Sequence, residues 1–267
     1  MPVDHYENFP VASWLLPRHL REPVGAIYAF ARSADDIADE GNLGAAERLQ
    51  QLDDYRRELQ YIAAGTTSDE PIFKRLRQAI TSHDLPMQPF FDLLDAFSQD
   101  VVKKRYADFC ELLAYCRRSA NPVGRLLLRL YRAENPEQLE WSDNICSSLQ
   151  LINHWQDVGL DWGKGRVYLP QEDLQRFGIG EAQIASGTAD GNWCALLRFE
   201  VERARAMMLA GSPLGHSLPG RIGLELRLII AGGMRILEKI DEADYDVFRR
   251  RPQLQAFDWP LLAWRGL

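Results

Sequence analysis

Asp35-Asp36-Ile37-Ala38-Asp39-Glu40 and Asp157-Val158-Gly159-Leu160-Asp161 are the two stretches that decide how this chain is read. Each sets carboxylates four residues apart, which on an α-helix stacks them on one face. Like charges at that spacing destabilise a helix unless something cationic lies between them. Oxygen donors so arranged suit Mg²⁺, which binds one or two carboxylates per site, keeps several waters and takes its remaining ligands from substrate phosphates. The stripes therefore predict two helices facing each other across a bundle, lining a polar cleft where a diphosphate substrate is held through magnesium.

The flanks support a site over a solvated acidic face. Tyr28, Arg32, Asp35, Asp36 and Asp39 follow one another at steps that place a phenol, a guanidinium and carboxylates on one side of one helix. Gln150, Asn153, Asp157 and Asp161 repeat the pattern, and Asn153 follows the mostly apolar run Leu149-Gln150-Leu151-Ile152. An amide on a buried stripe needs partners. A single acidic cluster is better read as a solvated helix face; two flanked clusters are not.

Outward from the stripes, hydrophobic spacing is helical nearly everywhere and alternating runs are scarce. Pro23 opens a predicted helix through Glu40, ended by Gly41, Asn42 and Gly44. Further helices are expected at about 45–64, 70–82, 86–104, 108–120 and 121–133, several with a proline near the start. Ser142 caps a long helix through Asp161. Gly163–Tyr168 reads as a loop, short helical pieces follow to about 185, and the last helices fall at about 190–210 and 217–242. With no repeat or linker, residues 1–267 are expected to form one all-α domain.

Net charge −7 excludes nucleic acid as a partner, because phosphate-backbone binding needs a basic face. The basic groups are local: Arg117-Arg118 and Arg249-Arg250-Arg251 suit a small anion. Cys110, Cys116, Cys146 and Cys194 form no C-x-x-C pair and follow no secretory apolar segment. They are expected as reduced, mostly buried thiols of a cytoplasmic protein. No apolar run approaches the roughly 20 residues that cross a bilayer. The tail Phe257-Asp258-Trp259-Pro260-Leu261-Leu262-Ala263-Trp264 suits either peripheral contact with the inner membrane face or docking on the protein's own core.

Cleavage of an allylic diphosphate leaves a carbocation, so the rest of such a pocket should be apolar, aromatic and poor in water. Phe9, Trp14, Tyr28, Phe30, Phe90, Phe91, Trp155 and Trp162 are candidates, each individually better read as core. His154, one position off the stripe, reads as a core or supporting histidine, since magnesium prefers oxygen.

Tyr28–Asp39, Asn153–Asp161 and Gly165-Arg166-Val167-Tyr168-Leu169-Pro170 together resemble the squalene/phytoene synthases, over a span from His5 to about Arg251. The resemblance implies the all-α isoprenoid synthase fold and an Mg²⁺-dependent head-to-head prenyl diphosphate reaction. It makes Asp35, Asp39, Asp157 and Asp161 magnesium-side carboxylates with Asp36 beside them. Arg32, Asn153, Arg166 and Tyr168 would hold or order the diphosphate and its metals, with Tyr28, Gln150 and Arg250 on the substrate side. Association with neighbouring enzymes of the pathway is a further implication.

Within the family, His5–Ser13, Tyr115–Gly124 and Gly232–Leu237 are most similar to the hydroxysqualene-forming members of bacterial hopanoid biosynthesis. That similarity implies conversion of presqualene diphosphate and water to hydroxysqualene and diphosphate without a nicotinamide cofactor. Two positions depart from the wider family: Arg117 and Gly233 stand where tyrosines are usual. An added guanidinium and the room left by a glycine are expected to help water trap the rearranged cation. The alternatives are a presqualene- or phytoene-type synthase and, in another class, a non-catalytic helical scaffold of the same fold.

Overall fold

Helical periodicity is realised as helix throughout the computed structural model, which describes residues 15–66 and 70–267. The His5–Ser13 motif and the aromatic candidates Phe9 and Trp14 lie outside the described residues. In chain order the helices are α1 (Arg18–Asp39), α2 (Ala45–Ala63), α3 (Pro71–His83), α4 (Gln88–Val102), α5 (Phe109–Ser119), α6 (Asn121–Tyr131) and α7 (Pro136–Gln156). They continue as α8 (Val158–Gly163), α9 (Gln171–Arg176), α10 (Glu181–Ser186), α11 (Gly191–Gly211), α12 (Leu214–Ser217), α13 (Gly220–Glu242) and α14 (Trp259–Gly266). Among the described residues there is no strand, only an isolated parallel bridge between Arg105 and Val167.

The helices gather into two compact units. One comprises residues 15–103 and Arg117–Leu139, the other Lys104–Cys116 and Glu140–Leu267. In the first, α1 packs on α3 and α4 through Leu20, Val24, Ile27 and Phe30. Phe30 and Phe90 are fully buried, their rings edge to face at 5.6 Å, and Phe73 and Tyr55 close the cluster. Edge-to-face pairs of this kind add roughly 0.5–1.5 kcal/mol beyond burial. Phe30 and Phe90 are therefore core, as their plainer reading had it.

In the second unit α11 and α13 pack together and carry α12 and α14. A Cβ on Gly211 would stand 2.5 Å from the Trp141 carbonyl oxygen, so only glycine lets the end of α11 approach α7 this closely. Ser148 Oγ donates to the Ala204 carbonyl at 2.7 Å across the same contact.

Several boundaries differ from the sequence expectation for identifiable reasons. α1 starts five residues before Pro23, because one missing N–H costs less than leaving Leu20 unburied in the stripe it shares with Val24 and Ile27. α7 starts at Pro136 and not after Ser142. Asn135 Oδ1 accepts from Gln138 N at 2.8 Å while the Gln138 side chain accepts from Asn135 N at 3.3 Å, a reciprocal cap. Ser142 is buried inside that helix. The helix expected to begin at 217 is divided, α12 ending before Pro219 and α13 starting at Gly220, whose φ of +56° glycine tolerates. The four cysteines form no disulfide, but only Cys116 is buried and Cys110 is exposed.

α14 was not foreseen as a helix. Its inner face docks on α13 through Leu262 and Gly266, with Arg227 Nε donating to the Gly266 carbonyl at 2.6 Å. Asp258, buried just before it, accepts from Arg235 Nε at 2.9 Å and pairs with Lys239. The outer face leaves Trp259 and Trp264 exposed.

Candidate active site

The first stripe lies on the last turns of α1, where Ala34 and Ala38 face the core and Arg32, Asp35, Asp36 and Asp39 lie half-buried on the other side. Spacing of three and four brings one guanidinium to several carboxylates: Arg32 pairs with Asp36 at 2.8 Å, Glu40 at 3.1 Å and Asp35 at 3.5 Å. Asp35 is pushed up to about 7, first by desolvation in its crowded setting and then by the like charge of Asp39, with Asp100 and Asp36 adding and Arg32 opposing. Its side chain keeps 38% of its surface open, so water screens part of this effect. In the folded chain Asp35 keeps its proton through the range where an unfolded aspartate has lost it. The stripe therefore weakens the fold as pH rises towards 7 unless a cation joins it. Arg48, which the sequence reading passed over, closes this end of α1 by donating to the carbonyls of Ile37, Gly41 and Leu43 at 2.7, 2.8 and 3.0 Å.

The second stripe is not on one continuous helix. α7 ends at Gln156, Asp157 takes φ −107° and ψ 14°, and α8 begins at Val158. The hydrogen bond from Asp161 N to the Asp157 carbonyl survives at 2.8 Å, so the two aspartates stay one turn apart across the break. Asp157 is clamped by both arms of Arg251, Nε to Oδ1 and Nη2 to Oδ2, the latter at 3.0 Å. Sequence reasoning singled out the neighbouring Arg250 instead; that side chain is exposed, and its backbone N–H donates to the Asp246 carbonyl. Asn153 is exposed and not on a buried stripe, because the face of α7 that packs inward carries Leu151, Ile152 and Trp155.

Beyond α8 the chain turns at Gly165, φ +73°, and Arg166 N donates to the Asp161 carbonyl at 2.8 Å. Arg105, also missed, secures this turn. It donates to the Gly165 carbonyl at 2.7 Å, pairs with Glu181 of α10 and lies over the Trp162 ring. The turn delivers Arg166 and Tyr168 to a buried aromatic group. His154 stacks on Tyr168 at 3.7 Å with 12° between planes, and Tyr106 and Tyr115 flank the phenol ring. Gln150 reaches the His154 ring, Nε2 to Nε2 at 3.4 Å. Burial, then the Arg166 charge, pulls His154 down to about 3, so the imidazole is neutral and supports the ring stack.

Arg117 and Gly233 are the two remaining expected contributors. Arg117 is exposed near the end of α5, in the unit that holds the first stripe, while Arg118 beside it donates to Gln99 at 2.6 Å. Gly233 leaves no open room. A Cβ there would meet Met208 Cε at 2.8 Å and Leu149 Cδ2 at 3.1 Å, so the glycine serves close packing of α13 and does not widen a pocket. No group of three or more His, Cys, Asp or Glu among the described residues is arranged to hold a metal unaided. Ions that take ligands from substrate phosphate do not require such a cage.

Comparison with known proteins places this geometry. The hydroxysqualene synthase of Rhodopseudomonas palustris is 37% identical over 241 residues, 89% of this chain and 80% of that protein. The phytoene synthase of Arthrospira platensis is 30% identical over 262 residues, 93% of this chain and 84% of that one. The crystal structure of squalene synthase HpnC from Alicyclobacillus acidocaldarius superposes with a TM-score of 0.84 at 38% identity, covering 90% of each chain, and the fold is the isoprenoid synthase fold. Residues 3–258 match the family model for squalene/phytoene synthase, and the chain belongs to that family.

Proposed function

We propose that this enzyme converts presqualene diphosphate and water to hydroxysqualene and diphosphate, using Mg²⁺, in hopanoid biosynthesis. The observation that carries the reading is the first stripe. Arg32 lies 2.8 Å from Asp36, 3.1 Å from Glu40 and 3.5 Å from Asp35, and Asp35 is driven towards neutrality by burial first and then by Asp39, with Arg32 opposing, a set that a divalent cation would relieve. Relatives named hydroxysqualene synthase at 35–39% identity support the choice of product over a presqualene- or phytoene-type reaction.

The donors fit magnesium: they are all carboxylate oxygens, too few to enclose an ion, which suits one that keeps waters and phosphate ligands. Asp35 and Asp39 would hold an ion at the first stripe, and Asp157 and Asp161 another at the second. Bound there, magnesium would neutralise charge on the departing diphosphate. The chain's own part is to orient and to exclude water. Arg32 and Arg166 offer planar forks to phosphate oxygens. The neutral His154 keeps Tyr168 in a fixed plane, and buried aromatic surface denies bulk water to the cation. Breaking the C–O bond releases diphosphate; the rearranged cation is closed by a water oxygen, which then loses its proton.

Product analysis decides the reading. With presqualene diphosphate and Mg²⁺, without NADPH, hydroxysqualene and diphosphate are expected in equal amounts. Presqualene diphosphate or a C40 hydrocarbon from shorter diphosphates, with no hydroxysqualene, would move the assignment to the neighbouring synthases. No turnover of any prenyl diphosphate would favour the scaffold reading.

We also propose that the outer face of α14, with Trp259, Trp264 and the exposed Phe257, rests at a lipid–water interface. Indole rings favour that depth, and Asp258, the only acidic residue of this segment, is turned inward onto Arg235 and Lys239. Co-sedimentation with phosphatidylcholine–phosphatidylglycerol vesicles should drop several-fold in a Trp259→Ser/Trp264→Ser variant; equal sedimentation of both proteins would remove the contact.

A further inference from the structure

The second stripe contains its own cation. Arg251 meets Asp157 with a two-armed fork, and both side chains are mostly covered, with 20% and 24% of their surfaces open. The backbone that carries Arg251 is tied down on either side. Gln156 Nε2, from the residue before Asp157, donates to the Pro252 carbonyl at 2.6 Å, and Lys239 Nζ donates to the Gln253 carbonyl at 2.8 Å. Earlier in the segment, Trp193 Nε1 donates to the Tyr245 carbonyl at 3.0 Å. The chain is thus fixed, and what remains movable is the long arginine side chain, whose head alone must shift to release the carboxylate.

We propose that Arg251 is an exchangeable counter-ion: it occupies Asp157 while the site is empty and yields that carboxylate when a divalent cation and diphosphate arrive, its guanidinium transferring to the diphosphate. The inference rests on the function proposed above and adds a step to it. A guanidinium and a divalent cation on the same pair of oxygens would be like charges a few ångströms apart, so occupancy by one disfavours the other. Phosphate oxygens offer the guanidinium the same two-armed geometry that Asp157 gives it, so nothing is left unpaired after the exchange. Arg32 holds a matching position on the first stripe, paired with Asp35, Asp36 and Glu40 on its own helix. That guanidinium is divided among three carboxylates, whereas Arg251 gives Asp157 both arms of its fork, and both must leave to free the carboxylate.

The test separates metal uptake from diphosphate uptake. Mn²⁺ binding to the full-length, substrate-free protein is measured by electron paramagnetic resonance. Inorganic diphosphate binding at saturating Mg²⁺ is measured by calorimetry. Arg251→Gln should bind Mn²⁺ alone about tenfold more tightly than wild type and diphosphate about tenfold more weakly; Arg251→Lys, which keeps charge without the fork, should fall between. Adding Asp157→Asn to Arg251→Gln should abolish the gain in Mn²⁺ affinity. Thermal melts confirm that each variant is folded, and Arg251→Lys carries the test if Arg251→Gln is not. Mn²⁺ affinity unchanged or weakened in both variants, with wild type binding normally, overturns the exchange alone. A wild-type protein that takes up neither Mn²⁺ nor diphosphate overturns the functional reading on which the exchange rests.

Discussion

Asparagine at Asp35, Asp39, Asp157 or Asp161 is expected to slow diphosphate release by about 10²–10³-fold, the range found when one preorganised charge-stabilising group is lost. The same changes should act differently on stability, which separates the proposed role from a structural one. Asp35→Asn removes a carboxyl that burial first, and then its like-charged neighbours, push up to about 7, so without metal the melting temperature should hold or rise at neutral pH. Asp157→Asn takes the two-armed carboxylate from a mostly covered Arg251, so its melting temperature should fall while activity falls with it. Adding Mg²⁺ with inorganic diphosphate should raise the wild-type melting temperature and raise those of the variants much less. Wild-type rates in any two of the four variants would end the magnesium reading of the stripes.

The fold was legible because its signals are local. Carboxylates at three and four, prolines near helix starts and glycines past helix ends are read within one turn, and they located α1 to α6 to within a few residues, apart from the earlier start of α1. The misreadings came where a longer-range or reciprocal contact prevailed. Asn135 and Gln138 cap each other and displace Ser142 as the start of α7. Asp157 leaves helical geometry beside an arginine 94 positions away, a pairing no periodicity reveals. Gly233 looked like space and is close packing, because a glycine that opens a pocket and one that seats a neighbouring methyl are identical in sequence. Arg105 and Arg48 were overlooked for a similar reason: their partners are mostly backbone carbonyls, which carry no residue-type signal. Among the site residues, the stripe on α1 was the most readable, since Arg32 and its carboxylates share one helix.

A second large effect lies away from the stripes. Glu200 on α11 has no exposed surface. Facing it are Arg203, with Nη1 at 3.2 Å, and the buried Asp173 of α9, to which it is hydrogen-bonded. Arg203 also donates to Asp173 at 2.9 Å and lies over the Phe109 and Phe199 rings at 4.0 and 4.4 Å. One guanidinium thus serves two carboxyls. Burial first, then Asp173, pushes Glu200 up to about 8 against the pull of Arg203, so it is protonated and donates to its partner at neutral pH. Folded and unfolded chains both hold this proton below about pH 4. Between there and about pH 8 the unfolded chain releases it and the folded chain does not, so stability falls as pH rises through that window. The accumulated cost, allowing for the coupled partner, is about 2–4 kcal/mol at pH 8. Glu200→Gln keeps a donor to Asp173 and has nothing to ionise. It should melt several degrees above wild type at pH 8, with the two curves converging as pH falls to 5. An offset that is the same at both pH values would mean that glutamine merely packs better or worse, and that Glu200 does not titrate in the window its surroundings dictate.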